Sequence, residues 1–331
     1  MLSPRGELTA MTLTENIKQI VKATPFWPLY GQFSQWRSDS RNKAYFSKNL
    51  DLYSRILSAE QGNTLIADKV ASDEPLMISR FGNVELGCVL EYLTGSGSYS
   101  KYALKRMLTS TGFFMSEQED LDKYSKLFVE SSKLIDILGV WFNPGEAEVI
   151  RQSCLEATLV NLATLEPYYH DNPWSIKLKD RKVLVIHPFT STISEQYRKH
   201  REVLFKNQDI LPQFELITFK SVQSISGTRT DFNTWFDAYD WMRDQIKQYD
   251  FDIAIIGCGA YGLPLAAYVK SLGKKAVHLG GATQILFGIR GKRWDEHPFF
   301  QSLYNQYWVR PTSEETPQSY IRGEKGYWAY W

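Results

Sequence analysis

Cysteine is scarce in this chain. Cys88, Cys154 and Cys258 are three in number, odd and with no close pair, which supports neither a disulfide framework nor a structural zinc site. An excess of one charge is lacking too: 38 Lys and Arg stand against 37 Asp and Glu, for a net charge of +1. No global field marks the chain as a nucleic-acid or membrane-surface binder, so any basic site has to be local. Nor does any stretch approach the roughly 18 to 20 uninterrupted apolar residues of a spanning helix, and the opening from Met1 to Glu7 has no signal-peptide core. The expected compartment is the cytoplasm. Internal repeats and low-complexity segments are absent as well.

What is present is enough apolar residue, 43% of 331, to build one principal domain with an extension. Aromatics reach 14%, with ten tryptophans, a composition that suits core packing and sugar stacking. Residues 1–70 read as short helices and turns, broken at Pro25, Pro28 and Gly31, and are expected to form an N-terminal helical extension. From Pro75 onward, short aliphatic runs alternate with longer amphipathic stretches, the pattern of an α/β fold with a Rossmann-like, mostly parallel sheet over residues 71–300. The expected strands are 76–81, 138–142, 183–189, 214–219, 253–257 and 276–279. Helices are expected over 116–138, where acidic residues precede an apolar stripe, and over 231–249. Residues 301–331 read as an aromatic-rich tail packed on the domain, since so many exposed rings would be a liability.

Chemistry can sit at three strand ends, because open α/β sheets bind ligands beyond the carboxyl ends of their strands. The first is Arg80-Phe81-Gly82-Asn83-Val84-Glu85. Arg80 offers a fork of donors to phosphate or carboxylate, Gly82 permits close approach, and Glu85 can ligate a metal, accept a hydroxyl or act as a base. The plainer reading is a strand-to-helix turn with Asn83 as cap. The second is His187-Pro188-Phe189-Thr190, where His187 can donate to phosphate or move a proton. Downstream, Glu195 lies on a helix whose N-terminal hydroxyls can hold an anion. The third is the string Gly257-Cys258-Gly259-Ala260-Tyr261-Gly262 between a strand and a helix, the setting of a phosphate-cradling turn. It is followed by His278, Gly280, Gly281, Thr283 and Gln284, then by Lys292 and Arg293 as a local basic site. No Asp or Glu closes the next strand to hold an adenine ribose, which counts against a dehydrogenase.

The segments RFGNVE, HPFTSTISEQYR, GCGAYGLPLAAYVKSLGKKAVHLGGATQILFGIRGKRW and VRPTSEETPQSY resemble the bacterial GT-D type glycosyltransferases, over roughly residues 75–325. The resemblance implies a nucleoside-diphosphate sugar donor, typically a UDP sugar, and work on surface or protein-linked glycans. In that family an Asp-x-Glu motif follows the Arg-Phe-Gly turn and serves the donor diphosphate and its Mn²⁺ or Mg²⁺. Glu85 matches the second acid, whereas Asn83 replaces the first and weakens the expected metal site.

The expectation from residues and resemblance together is sugar transfer. Arg80, Lys292, Arg293 and the glycine turns hold the diphosphate, and Glu85 binds metal or serves as base, with His187 and Glu195 as alternatives. A lipid-linked acceptor would bring the protein to the inner face of the membrane without an anchor. Two rivals remain: a Rossmann enzyme using NAD or S-adenosylmethionine, and a non-catalytic nucleotide-sugar-binding protein.

Overall fold

A computed structural model describes residues 40–95, 98–114, 117–326 and 328–331. Much of the expected extension therefore lies outside the described residues. Its described part holds the helices α1 (Ser40–Lys48), α2 (Leu50–Tyr53) and α3 (Ala59–Ala71). The start of α3 is set by Ser58 and Gln61, whose side chains and main chains bond reciprocally. Its Ile66 and Val70 are buried on the sheet, so this helix belongs to the domain's layers.

Seven parallel strands form one sheet in the order β3-β2-β1-β7-β6-β4-β5. They are β1 (Leu76–Arg80), β2 (Ile137–Val140), β3 (Thr158–Asn161), β4 (Lys182–His187), β5 (Glu215–Lys220), β6 (Ile253–Ile256) and β7 (Lys275–His278). The architecture is Rossmann-like α/β, with helices on both faces. β6 and β7 are buried along their whole length, as parallel strands covered on both faces must be. β7, the last strand in sequence, is the central one: it pairs with β1 on one side and β6 on the other. β3 was not among the expected strands, because Thr-Leu-Val-Asn is short, polar at both ends and at the sheet edge.

Adjacent residues of a strand feed opposite cores, as Met77 and Ile78 do. One layer carries α4 (Asn83–Leu93), α6 (Glu119–Ser132), α7 (Glu146–Ser153), α9 (Trp235–Ile246) and α10 (Gly262–Ser271), through Leu86, Tyr124, Val149, Trp235 and Leu265. The short α5 (Lys101–Arg106) lies between α4 and α6. The opposite layer carries α3, the 3₁₀ turns over 162–178 and α8 (Thr190–Leu204). α6 ends at Ser132, short of the expected 138, because the Asp136 carboxylate accepts the Met77 N–H at 2.7 Å and Lys270 Nζ at 2.7 Å, drawing the chain into β2. α9 starts at Trp235, later than expected, because Thr234 caps it reciprocally with Asp237.

The layers decide where a ligand can enter. β4 and β6 are neighbours, yet β4 leads to β5 through α8 on one face while β6 leads to β7 through α10 on the other. Adjacent strands whose connections leave on opposite faces open a crevice between their carboxyl ends. The tail closes one wall of it: Trp308 and Trp331 are buried, the Lys292 N–H bonds the Trp331 carbonyl and the Arg293 N–H that of Ala329.

Candidate functional site

The crevice is a cleft of about 470 Å³ at the ends of β1, β7, β6 and β4. At its β1 end two guanidinium groups share one ring: Arg80 lies 4.6 Å from the centroid of Trp141 and Arg293 lies 5.6 Å from it. Such stacking attracts a cation without neutralising it. Arg80 has no hydrogen bond or carboxylate ion pair with the described residues. Burial weakens its charged form, Glu85 supports that form and Arg293 opposes it. Arg80, a guanidinium with no carboxylate paired to it among the described residues and a second guanidinium beside it, presents its donors to the cleft in the manner that suits an anion.

Trp141 is held by Glu146, a fully buried carboxylate at the start of α7. It accepts the Trp141 and Asn143 N–H groups at 3.1 Å each. Burial pushes this carboxyl up to about 7, against the pull of those N–H groups and of Arg80.

Glu85 sits at the third position of α4 and folds back over Gly82, leaving no room there for a Cβ: one would stand 2.0 Å from Oε2. Burial raises its carboxyl, while its own N–H, Arg80 and Arg106 oppose the rise. Asn83 is exposed and its amide donates to Asn143 Oδ1 at 2.9 Å. One carboxylate turned onto its helix and flanked by two arginines, beside an amide engaged elsewhere, is a poor donor set for Mn²⁺ or Mg²⁺. Among the described residues no group of three or more His, Cys, Asp or Glu converges as a metal site.

The glycines of the third motif make room for the protein's own atoms. A Cβ at Gly257 would stand 2.5 Å from the Gly280 carbonyl, one at Gly259 2.4 Å from the Thr111 carbonyl, and one at Gly262 2.3 Å from His278 Nε2. Gly281 likewise admits the Tyr330 ring. Gly259 and Gly280 also need the left-handed region, with φ of +58° and +63°. Gly257, Cys258, Gly259 and Tyr261 of the string nonetheless line the cleft, where the main-chain N–H groups of Cys258 and Gly259 have no acceptor among the described residues.

Both histidines are buried and neutral. His187 Nδ1 accepts the Phe189 N–H at 3.0 Å, which leaves the proton on Nε2, and burial lowers its pKa to about 3. At the cleft it is therefore arranged to donate a hydrogen bond. His278 is lowered to about 3 as well, by burial and then by Arg80, and its Nδ1 meets Ser79 Oγ at 3.0 Å. Gln284 lines the cleft while its amide ties the Ile289 and Tyr330 carbonyls, each at 3.2 Å, and its buried Oε1 has no partner among the described residues.

Five expected residues do not line the cleft: Gly262, packed against His278, and four more. Lys292 is exposed. Glu195 is exposed on α8 and paired with Lys199 at 2.5 Å, which holds its carboxyl below the usual range. Thr283 is fully buried, its hydroxyl turned to the Ile256 carbonyl. Thr190 opens α8, and the anion at that helix start is the protein's own: Glu315 of the tail accepts the Ser191 N–H at 2.6 Å, the Thr192 N–H at 3.2 Å and the Thr192 hydroxyl.

Other cleft residues had no place in the reading of the sequence: Trp141, Arg106, Tyr102 and Tyr330. Trp141 follows a strand directly, so the carboxyl-end rule applied there would have found it. Tyr330 reaches the site only through the folding of the tail. No protein-family model, curated protein or solved structure matches the chain. Its class therefore rests on fold and cleft: a Rossmann-like protein with an arginine-lined crevice at the switch point of its sheet.

Proposed function

We propose that this protein is a glycosyltransferase that moves a sugar from a nucleoside-diphosphate sugar, foremost a UDP sugar, to a hydroxyl of a glycan, glycoprotein or lipid-linked acceptor. The observation that carries the reading is the pair Arg80 and Arg293 on the Trp141 ring, a double cation lining a cleft of nucleotide size. Loss of a sugar from diphosphate builds negative charge on the departing oxygen, and preorganised donors stabilise that charge as it forms. Arg80 and Arg293 supply it with cations, and the N–H groups of Cys258 and Gly259 and the His187 Nε2–H supply neutral donors. The arginines do here what a divalent ion does elsewhere, so binding is expected without added metal. The resemblance of RFGNVE and of the long segment 257–294 to GT-D type enzymes points the same way. The setting is cytoplasmic, at the inner membrane face for a lipid-linked acceptor; among the described residues no helix is long and apolar enough to cross a membrane.

The test is thermal stability against UDP, UDP sugars, NAD and S-adenosylmethionine, each with Mn²⁺ and with EDTA. A ligand at a hundred times its Kd adds about 2.7 kcal/mol. Stabilisation by UDP or its sugars in EDTA is the expected result. Stabilisation by NAD or S-adenosylmethionine alone overturns the reading.

A further inference from the structure

Behind the arginine pair lies a second, smaller pocket of about 90 Å³. It shares Arg80, Arg293 and Trp141 with the main cleft, so these side chains form a partition between two cavities. Its far side is aromatic, with Tyr169 and Trp294, and Tyr169 is stiffened by stacking on Phe299 at 4.3 Å and 20°. Into it faces Glu166, half-buried, accepting the Tyr168 hydroxyl and forming no ion pair with the described residues. Glu166 and the Arg80 guanidinium line one small cavity without pairing with each other, which leaves a gap for a group that engages both.

We propose that this pocket takes a hydroxyl-bearing end of a carbohydrate, with Tyr169 and Trp294 against the ring and Glu166 as the carboxylate that accepts the hydroxyl proton. Flat aromatic walls suit the apolar faces of a sugar, and 90 Å³ admits part of a ring. The catalytic half of the proposal rests on the transferase reading. The acceptor O–H breaks and its proton passes to Glu166. The oxygen forms the new bond to the anomeric carbon, and the bond from that carbon to the diphosphate breaks, its electron pair leaving on the phosphate oxygen between Arg80 and Arg293. Burial pushes the Glu166 carboxyl up to about 7, with the Tyr168 hydroxyl and the two arginines opposing, and a base is most effective when its pKa lies near the working pH.

The experiment uses methyl glucoside, methyl galactoside and methyl N-acetylglucosaminide as probes in saturation-transfer NMR. The proteins are the full chain and its Glu166→Gln and Tyr169→Ala variants, with UDP-induced thermal shifts measured on each. Binding of at least one glycoside, weakened about tenfold or more in both variants while the UDP shift is kept, is the expected result. Absence of signal from all three glycosides on the unaltered chain, or signal that survives Glu166→Gln, overturns the pocket. For the proton step, Glu166→Gln is expected to slow UDP release in the presence of the bound glycoside about a hundredfold to ten-thousandfold and to abolish the acidic limb of its pH profile; an unchanged profile overturns that step. Failure of UDP to stabilise the unaltered chain falls on the transferase reading instead.

Discussion

Arg80 and Arg293 act as a pair, and their substitution separates binding from folding. Arg80→Ala or Arg293→Ala is expected to abolish the UDP-induced thermal shift and to lower turnover about a hundredfold to a thousandfold. Lys292→Ala, one position from Arg293 but outside the lining of the cleft, is expected to match the unaltered chain in both. Equal losses at Lys292 and Arg293 would show that the anion sits outside the cleft. The glycines behave in the opposite sense. Gly262→Ala places a methyl 2.3 Å from His278 Nε2, and crowding of that kind costs about 1–3 kcal/mol. Urea denaturation should register it as lost stability even with no nucleotide present. A Gly262→Ala protein of full stability that fails only in ligand binding would instead make this glycine a phosphate contact.

Among the elements, α8 shows how far the tail is built into the domain. Glu315 caps its first turn from 123 residues away, satisfying N–H groups that would otherwise meet water or a ligand. Glu315→Ala is expected to cost about 1–2 kcal/mol, the upper range for a lost cap, and to weaken UDP binding indirectly, because the tail also seats Tyr330 and Trp331 in the cleft. Denaturation with and without UDP measures both effects; a neutral substitution would mean that water replaces the carboxylate at no cost. This cap also marks where a reading of sequence runs out. Local pattern placed β1, β2, β4, β5, β6 and β7 within a few residues, because buried parallel strands write themselves as aliphatic runs, and it brought Arg80, Glu85, His187 and Arg293 to one edge. It could not show that Glu315 occupies the start of α8, that Thr111 and His278 fill the space beside Gly259 and Gly262, or that Glu166 faces Arg80. Those pairings depend on tertiary proximity between distant residues of otherwise ordinary type.

For the whole molecule, buried titratable groups fix the response to pH. Burial raises Glu85, Glu146 and Glu166, so each contributes stability that is full below about pH 4.5 and is lost as pH rises through its folded value, about 7 for the latter two. Burial lowers His170, His187 and His278, whose contribution is full above about pH 6.5 and is lost as pH falls through the folded value, about 3 for the latter two. Between pH 4.5 and 6.5 the two sets oppose each other. Thermal melts should therefore show a plateau there, with stability falling below it as the histidines charge and above it as the carboxyls ionise. A melting temperature that climbs steadily to pH 9 would contradict this. The position of β7 bears on how the protein is made. Both of its partners, β1 and β6, emerge from the ribosome before it does, and until residues 275–278 follow them each presents an unpaired apolar edge of the kind that recruits other chains. The nascent chain thus carries two half-sheets that only residues 275–278 can join, so a ribosome stalled before that point leaves a fragment bound for chaperones or aggregates, while synthesis of β7 joins the halves.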